Sequence, residues 1–248
     1  EISETQYVVN AGWRYYIQRT MAVRTTLYYG VVSGDDKLTK EPFRNGRNLS
    51  FKSPIYELSA IFEYYIVEAK QGRMYKVRGT KGGLNFIVGI CPFLGIGAFY
   101  YNPKALYKGK WVNLQPLGTE GQGIKEGTKK YSRISYSIPM GIEIRYPINQ
   151  QMAIELELGF RKTFTDYIDD VSTVYYDKEE IRKANGDIAA DLSDPSLPES
   201  PAGSREGDQR GDYTEKDSYM FGVLSFNYKI SKKRGFRRIK SRRSLPSF

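Results

Sequence analysis

Three neighbouring aspartates, Asp166, Asp169 and Asp170, present hard carboxylate oxygens of the kind that hold Ca²⁺ in outer-surface loops. Their spacing fits no EF-hand, so loop capping or simple solvation competes with metal binding. A larger set of charges sets Arg14, Arg24, Arg145 and Arg161 against Glu57, Glu63, Glu143, Glu155 and Glu157, all at alternating positions of extended segments. Paired carboxylates can perform acid/base chemistry, but no nucleophile or cleft accompanies these. The expectation is an internal network in which buried charges are paired. With no histidine and a single cysteine, Cys91, the chain is closed to internal disulfides, zinc fingers and Ser/His/Asp or Cys/His catalysis. Gly118 to Gly123 and Gly79 to Gly83 look faintly like phosphate loops, yet neither follows a strand and opens a helix with the required Lys-Ser/Thr. Both read as turns, and Asn48-Leu49-Ser50 matches a glycosylation sequon, a pattern with a high chance rate. No enzyme activity, cofactor or small-molecule substrate is expected.

The elements that must position these charges are strands. From Ile134 to Ile148 every even position is apolar or aromatic, while the odd positions are Ser, Pro, Gly, Glu and Arg. After a turn around Asn149 and Gln150 the pattern repeats from Met152 to Phe160. Such period-two alternation is the mark of β-strands. If both arms keep their even positions on one face, the turn holds an odd number of residues and Arg145 sits opposite Glu155. The same parity at the first turn sets Arg14 opposite Arg24, unfavourable unless carboxylates reach across. A soluble sandwich would carry Lys, Thr, Asp and Asn on its polar face. Here that face is small residues with Glu and Arg of both signs, which suits a narrow interior, and the greasy face suits lipid.

Further strands are expected over Tyr7 to Ile17, Met21 to Val31, Ile55 to Val67, Leu84 to Tyr101, with a bend or bulge at Pro92, and Tyr219 to Ile230. That makes about seven, antiparallel, in an all-β transmembrane barrel; because single-chain bacterial barrels are even-numbered, an eighth strand is expected upstream of Glu1 or, in part, from the first residues. Residues 1–230 form the barrel, with long loops at 33–53, 102–130 and 165–218. The Asp, Pro, Ser and Gly-rich stretch from Lys183 to Ser218 is expected to lack order. Long and short connections alternate, placing Gln18 to Thr20, Glu68 to Gly83 and Asn149 to Gln150 on the periplasmic side. No run of about eighteen apolar residues exists, so no transmembrane helix is expected, and the mean hydropathy of −0.54 is compatible with a barrel.

The formal charge is +10, of which residues 231–248 carry +8 with no acidic residue (Lys232, Lys233, Arg234, Arg237, Arg238, Lys240, Arg242 and Arg243). The basic character therefore belongs to a tail and not to a domain. Aromatic interleaving there is thin, which argues against nucleic acid. Either this periplasmic tail is simply solvated, or it docks on an acidic partner or on anionic headgroups.

Three loop segments, Arg47-Asn48-Leu49-Ser50-Phe51, Leu114 to Gly123 (LQPLGTEGQG) and Thr163 to Ser172 (TFTDYIDDVS), resemble the PorG-type outer-membrane proteins of the Bacteroidetes type IX secretion system. The likeness runs from about Tyr7 to Ile230. It implies an eight-stranded barrel in the bacterial outer membrane, in contact with outer-membrane lipids. It further implies a non-enzymatic part of the protein secretion and gliding machinery, which anchors or organises a periplasmic ring built from a lipoprotein and its partner. Two other readings are a small porin-like or transport barrel, and a soluble ligand-binding barrel with its greasy face inside.

Overall fold

The computed structural model describes residues 6–69, 88–197 and 204–230. Among them are nine strands: β1 (Val8–Tyr16), β2 (Met21–Asp35), β3 (Ser50–Tyr64), β4 (Gly89–Tyr101), β5 (Lys104–Tyr107), β6 (Lys110–Asn113), β7 (Ile134–Pro147), β8 (Met152–Thr163) and β9 (Ser218–Tyr228). Seven of them form an antiparallel meander in the order β1-β2-β3-β4-β7-β8-β9, and β5 and β6 form a side hairpin attached to β3. The meander curls into a nearly closed barrel. Each strand runs opposite to the one before it, so β1 and β9 at the two ends run parallel, and no backbone ladder joins them. Side chains span the seam instead: Asn10 Nδ2 donates to Ser225 Oγ at 3.3 Å. The expected eighth strand upstream of Glu1 lies outside the described residues.

The two faces separate as the alternation requires. Ile142, Leu156 and Phe226 are 51%, 41% and 64% exposed, whereas Glu143, Glu157 and Arg161 inside are 2% or less. Tyr7, Tyr29, Tyr56 and Tyr100 make a ladder of outward rings across four neighbouring segments, with centroids 6.1, 4.7 and 6.3 Å apart. Tyr64 lies on the same strand as Tyr56, about 26 Å further along at the usual rise per residue. The register puts Arg145 opposite Glu155 and Arg14 opposite Arg24, as the turn parity requires. Asn149 fixes the β7–β8 turn by accepting from the Gln151 and Met152 backbone N–H groups, both at 2.8 Å.

Several elements differ from the sequence-based expectation. Pro92 causes no bulge, since the β4–β7 register is the same on both sides of it. The ladder skips instead at Gly95 and Ile96, opposite Ile138 and Pro139, where the proline has no N–H to give. Strand β3 ends at Tyr64, and Val67 makes only an isolated bridge to Ile90. Residues 84–87, expected at the start of β4, lie outside the described residues. The 33–53 loop is shorter than expected because β2 and β3 stay paired out to Asp35 and Ser50. Its tip carries a one-turn helix α1 (Pro42–Arg47) that ends on Asn48 in the left-handed region, φ 58.

Part of the stretch after Lys183 is helical. Helices α2 (Lys178–Asn185) and α3 (Asp187–Ser193) break at Gly186, φ 86, and Asp177 caps α2 by accepting from the Glu179 and Glu180 N–H groups. Ile181, Ala189 and Ala190 bury against Leu117, Ile124 and Tyr176 in a small core of their own. Composition alone misses this, because a few apolar residues at helical spacing are enough once the 102–130 loop covers them. Gly121, φ 79, belongs to the same contact: a Cβ there would lie 2.7 Å from the Tyr176 ring.

Inside the barrel, Gly141 and Gly159 face each other on β7 and β8. A Cβ on Gly141 would fall 2.1 Å from the Leu158 carbonyl oxygen and 2.8 Å from the Phe93 ring. Gly141→Ala is expected to cost about 1–3 kcal/mol as an overpacking defect. Gly222→Ala, whose Cβ would meet only Leu158 Cδ2 at 3.8 Å, is expected to be tolerated. Chemical denaturation followed by tryptophan fluorescence checks the difference.

Candidate functional site

The interior is filled in layers. An ionic layer runs from the short-turn end to mid-barrel, where Arg161 and Glu57 reach the aromatic rings; in it Arg14 and Arg24 of β1 and β2 face the glutamates of β7 and β8, and β3 contributes Glu57 and Glu63. Arg14 reaches Glu63 and Glu143 at 2.6 Å each and Glu155 at 2.5 Å. Arg24 reaches Glu63 at 2.5 Å and Glu157 at 2.7 Å. Arg145 pairs with Glu155 at 3.3 Å and donates to the Tyr16 hydroxyl. Arg161, fully buried, meets Glu157 at 3.1 Å and Glu57 at 3.6 Å while its guanidinium stacks on Tyr28 and Phe221, 4.8 and 5.1 Å from their centroids. All nine residues of the expected charge network therefore meet. Four guanidiniums face five carboxylates, and Glu57 also accepts from the Tyr219 and Ser137 hydroxyls at 2.6 and 3.1 Å.

Above this lies an aromatic layer. Tyr28, Phe99, Tyr101, Tyr219 and Phe221 are buried together with Ile55, Val223 and Ile168, the last reaching in from the 165–218 loop. Tyr131 and Tyr167 stack at 4.3 Å and continue the column outwards.

The long loops close over the column as a cap, and its centre is a residue that sequence reasoning did not single out. Arg210 is 2% exposed. It pairs with Glu120 at 2.9 Å and donates to the carbonyl oxygens of Asp170 at 2.6 Å and Ser193 at 3.3 Å. Its own carbonyl accepts from Arg47 at 2.6 Å, and Arg47 holds Asp36 through two bonds of 2.8 and 3.1 Å. Glu120 also accepts from the backbone N–H groups of Ser172 and Thr173. Thus Arg47–Phe51, Leu114–Gly123 and Thr163–Ser172, remote in sequence, are stitched together here. The one available signal was an arginine flanked by aspartates in Asp208-Gln209-Arg210-Gly211-Asp212.

The three aspartates do not form a cage. The Asp170 carboxylate turns away to accept from Thr119 and Tyr131, both at 2.5 Å. Burial pushes it up to about 6, against the opposing pull of Arg210 and the two hydroxyls. Asp166 and Asp169 instead line a cavity at the loop end. Among the described residues no group of acidic side chains is placed to hold a metal ion. A second cavity, about 540 Å³, opens at the turn end, where Arg19, Arg145 and Lys229 share the rim with Tyr16, Tyr65 and Glu68. The basic run from Lys232 to Arg243 lies outside the described residues.

Comparison of the chain with models of known protein families, with curated proteins and with solved structures finds no match.

Glu63 bridges the two arginines that stand opposite each other. Glu63→Ala is expected to cost about 3–5 kcal/mol by leaving buried positive charge unpaired, read as a lowered denaturation midpoint. Adding Arg24→Met should recover part of that loss.

Proposed function

We propose that the chain is an integral outer-membrane β-barrel with a filled interior, acting as a structural, non-enzymatic component of type IX protein secretion and gliding machinery. Its task on this reading is to anchor or organise a periplasmic ring made of a lipoprotein and its partner. The observation that carries the membrane assignment is the inverted burial. Trp13, Leu58, Ile96, Ile142, Leu158 and Leu224 stand 51% exposed or more on the outside, while ion-paired Arg and Glu fill the inside. Water penalises that arrangement and lipid rewards it. The outward tyrosine ladder fits the interfacial girdle of such barrels.

A structural role is favoured over a porin because the interior is occupied by the ionic layer, the aromatic column and the cap in turn. The association with secretion machinery rests on the three segments that resemble the PorG type. Their convergence on Arg210 gives them a part in building the cap. On this reading the periplasmic contact surface is the turn end, where Arg19 and Lys229 are already basic, together with the tail.

The protein is expected to stay with outer membranes until detergent is added and to co-purify with the periplasmic ring. Replacing Arg237, Arg238, Arg242 and Arg243 by Glu should weaken that co-purification. Recovery in the aqueous fraction without detergent would overturn the membrane assignment, and unchanged capture of the ring by the variant would remove the tail from the contact surface. Stable single-channel conductance in planar bilayers would favour the porin-like reading instead.

A further inference from the structure

The cavity at the loop end has a volume of about 750 Å³, within the usual range of ligand pockets. It lies between the residues that follow β2, the β5 strand, the 166–171 segment and the 210–218 segment. Its two buried bases have partners, Arg47 on Asp36 and Arg210 on Glu120. Lys216 is exposed and donates to the Tyr213 carbonyl oxygen.

Three acids on the same wall are differently placed. Asp169 accepts from the Val171 N–H at 3.0 Å, and Asp217 from the Ile168 N–H at 2.8 Å. Asp166 is 5% exposed, and its Oδ2 has no hydrogen-bond partner. Among the described residues none of the three is in an ion pair. Buried carboxylates normally have a counter-charge; here Arg47 and Arg210 act on Asp169, and Lys216 on Asp166 and Asp217, only from beyond ion-pair distance. Burial, reinforced by Asp217, holds Asp169 well above the usual carboxylate range. Burial, with Asp166 adding to it, pushes Asp217 up to about 6.

We propose that this cavity takes up an organic cation, a guanidinium or primary ammonium group, between Asp166, Asp169 and Asp217. A bare metal ion fits poorly, because the acids are not arranged to converge on one point. An extended cation with several N–H donors can satisfy carboxylates set further apart, and the cavity leaves room for a chain behind it. The proposal goes beyond the membrane reading and does not depend on it.

The test titrates the whole protein with N-acetyl-arginine amide, with a short arginine-containing peptide and with spermidine, in calorimetry and in amide NMR. Saturable binding is expected, with shifts at the Ile168 and Val171 amides, whose N–H groups lie on Asp217 and Asp169. Stronger binding of the peptide would identify a polypeptide side chain as the source of the cation, and stronger binding of spermidine a free polyamine. Asp166→Asn, which keeps the shape and removes the charge, should weaken binding roughly tenfold or more, the loss of one charge-assisted hydrogen bond. An absence of saturable binding, or binding that leaves both amides unmoved, overturns the proposal in the unmodified protein, independently of how any variant folds. Folded Asp166→Asn that binds as tightly as the parent overturns it too, as would Ca²⁺ binding that the arginine ligands fail to displace.

Discussion

Two pairs of like charges stand side by side on neighbouring strands, Arg14 with Arg24 on the first hairpin and Glu143 with Glu157 on the β7–β8 hairpin. Each hairpin alone is therefore electrostatically frustrated, since like charges opposite one another destabilise a sheet. Curling the sheet until the two hairpins face each other removes both defects together. Arg14 then meets Glu143, Arg24 meets Glu157, and Glu63 ties the two arginines from the side. Closure is thus what brings Arg14 to Glu143 and Glu155, and Arg24 to Glu157, across the interior. That requirement fixes which strands lie across from which, even where β1 and β9 lack a backbone ladder.

The same logic recurs at the loop end on a smaller scale. Arg210 sits in a place water does not reach and gathers a carboxylate from the 102–130 loop and two carbonyl oxygens from the 165–218 loop. A buried guanidinium with five fixed donors orders the chain around it, because each donor left idle carries a desolvation cost. Loops that are individually polar and rich in glycine become a lid by sharing this one cation. The ionic layer and the cap bracket the aromatic column, so the interior is divided into a cavity at each end with packed rings between. In the proposed outer-membrane setting this makes the barrel a solid post and not a conduit. The two ends then offer different surfaces, basic at the turns and acid-lined within the cap.

Strands, faces and turn parity were legible because they depend on nearest neighbours. Period-two alternation assigns each side chain to a face, and an odd-numbered turn then sets Arg145 opposite Glu155 without knowledge of the rest of the chain. The whole charge network could be listed for the same reason, since every member sits on the inward parity of its strand. Where local rules were weaker the reading failed. Pro92 looked like a bulge but is accommodated, and the 183–218 stretch looked unstructured by composition although within it Ala189 and Ala190 pack with Ile181 into a core against another loop.

What the sequence by itself determined is therefore the seven barrel strands, their inward and outward sets and the register within the first and the β7–β8 hairpins, all consequences of short-range sterics and pleat. Only the tertiary structure decided which arginine meets which glutamate across the interior, that Arg210 and not the aspartate trio organises the loops, and that Asp166, Asp169 and Asp217 share a wall without an ion-pair partner. Those outcomes depend on contacts between residues far apart in sequence, such as Arg210 with Asp170 and Arg14 with Glu143. Such contacts are set by how the sheet curves and how the loops fold back, which no local pattern encodes.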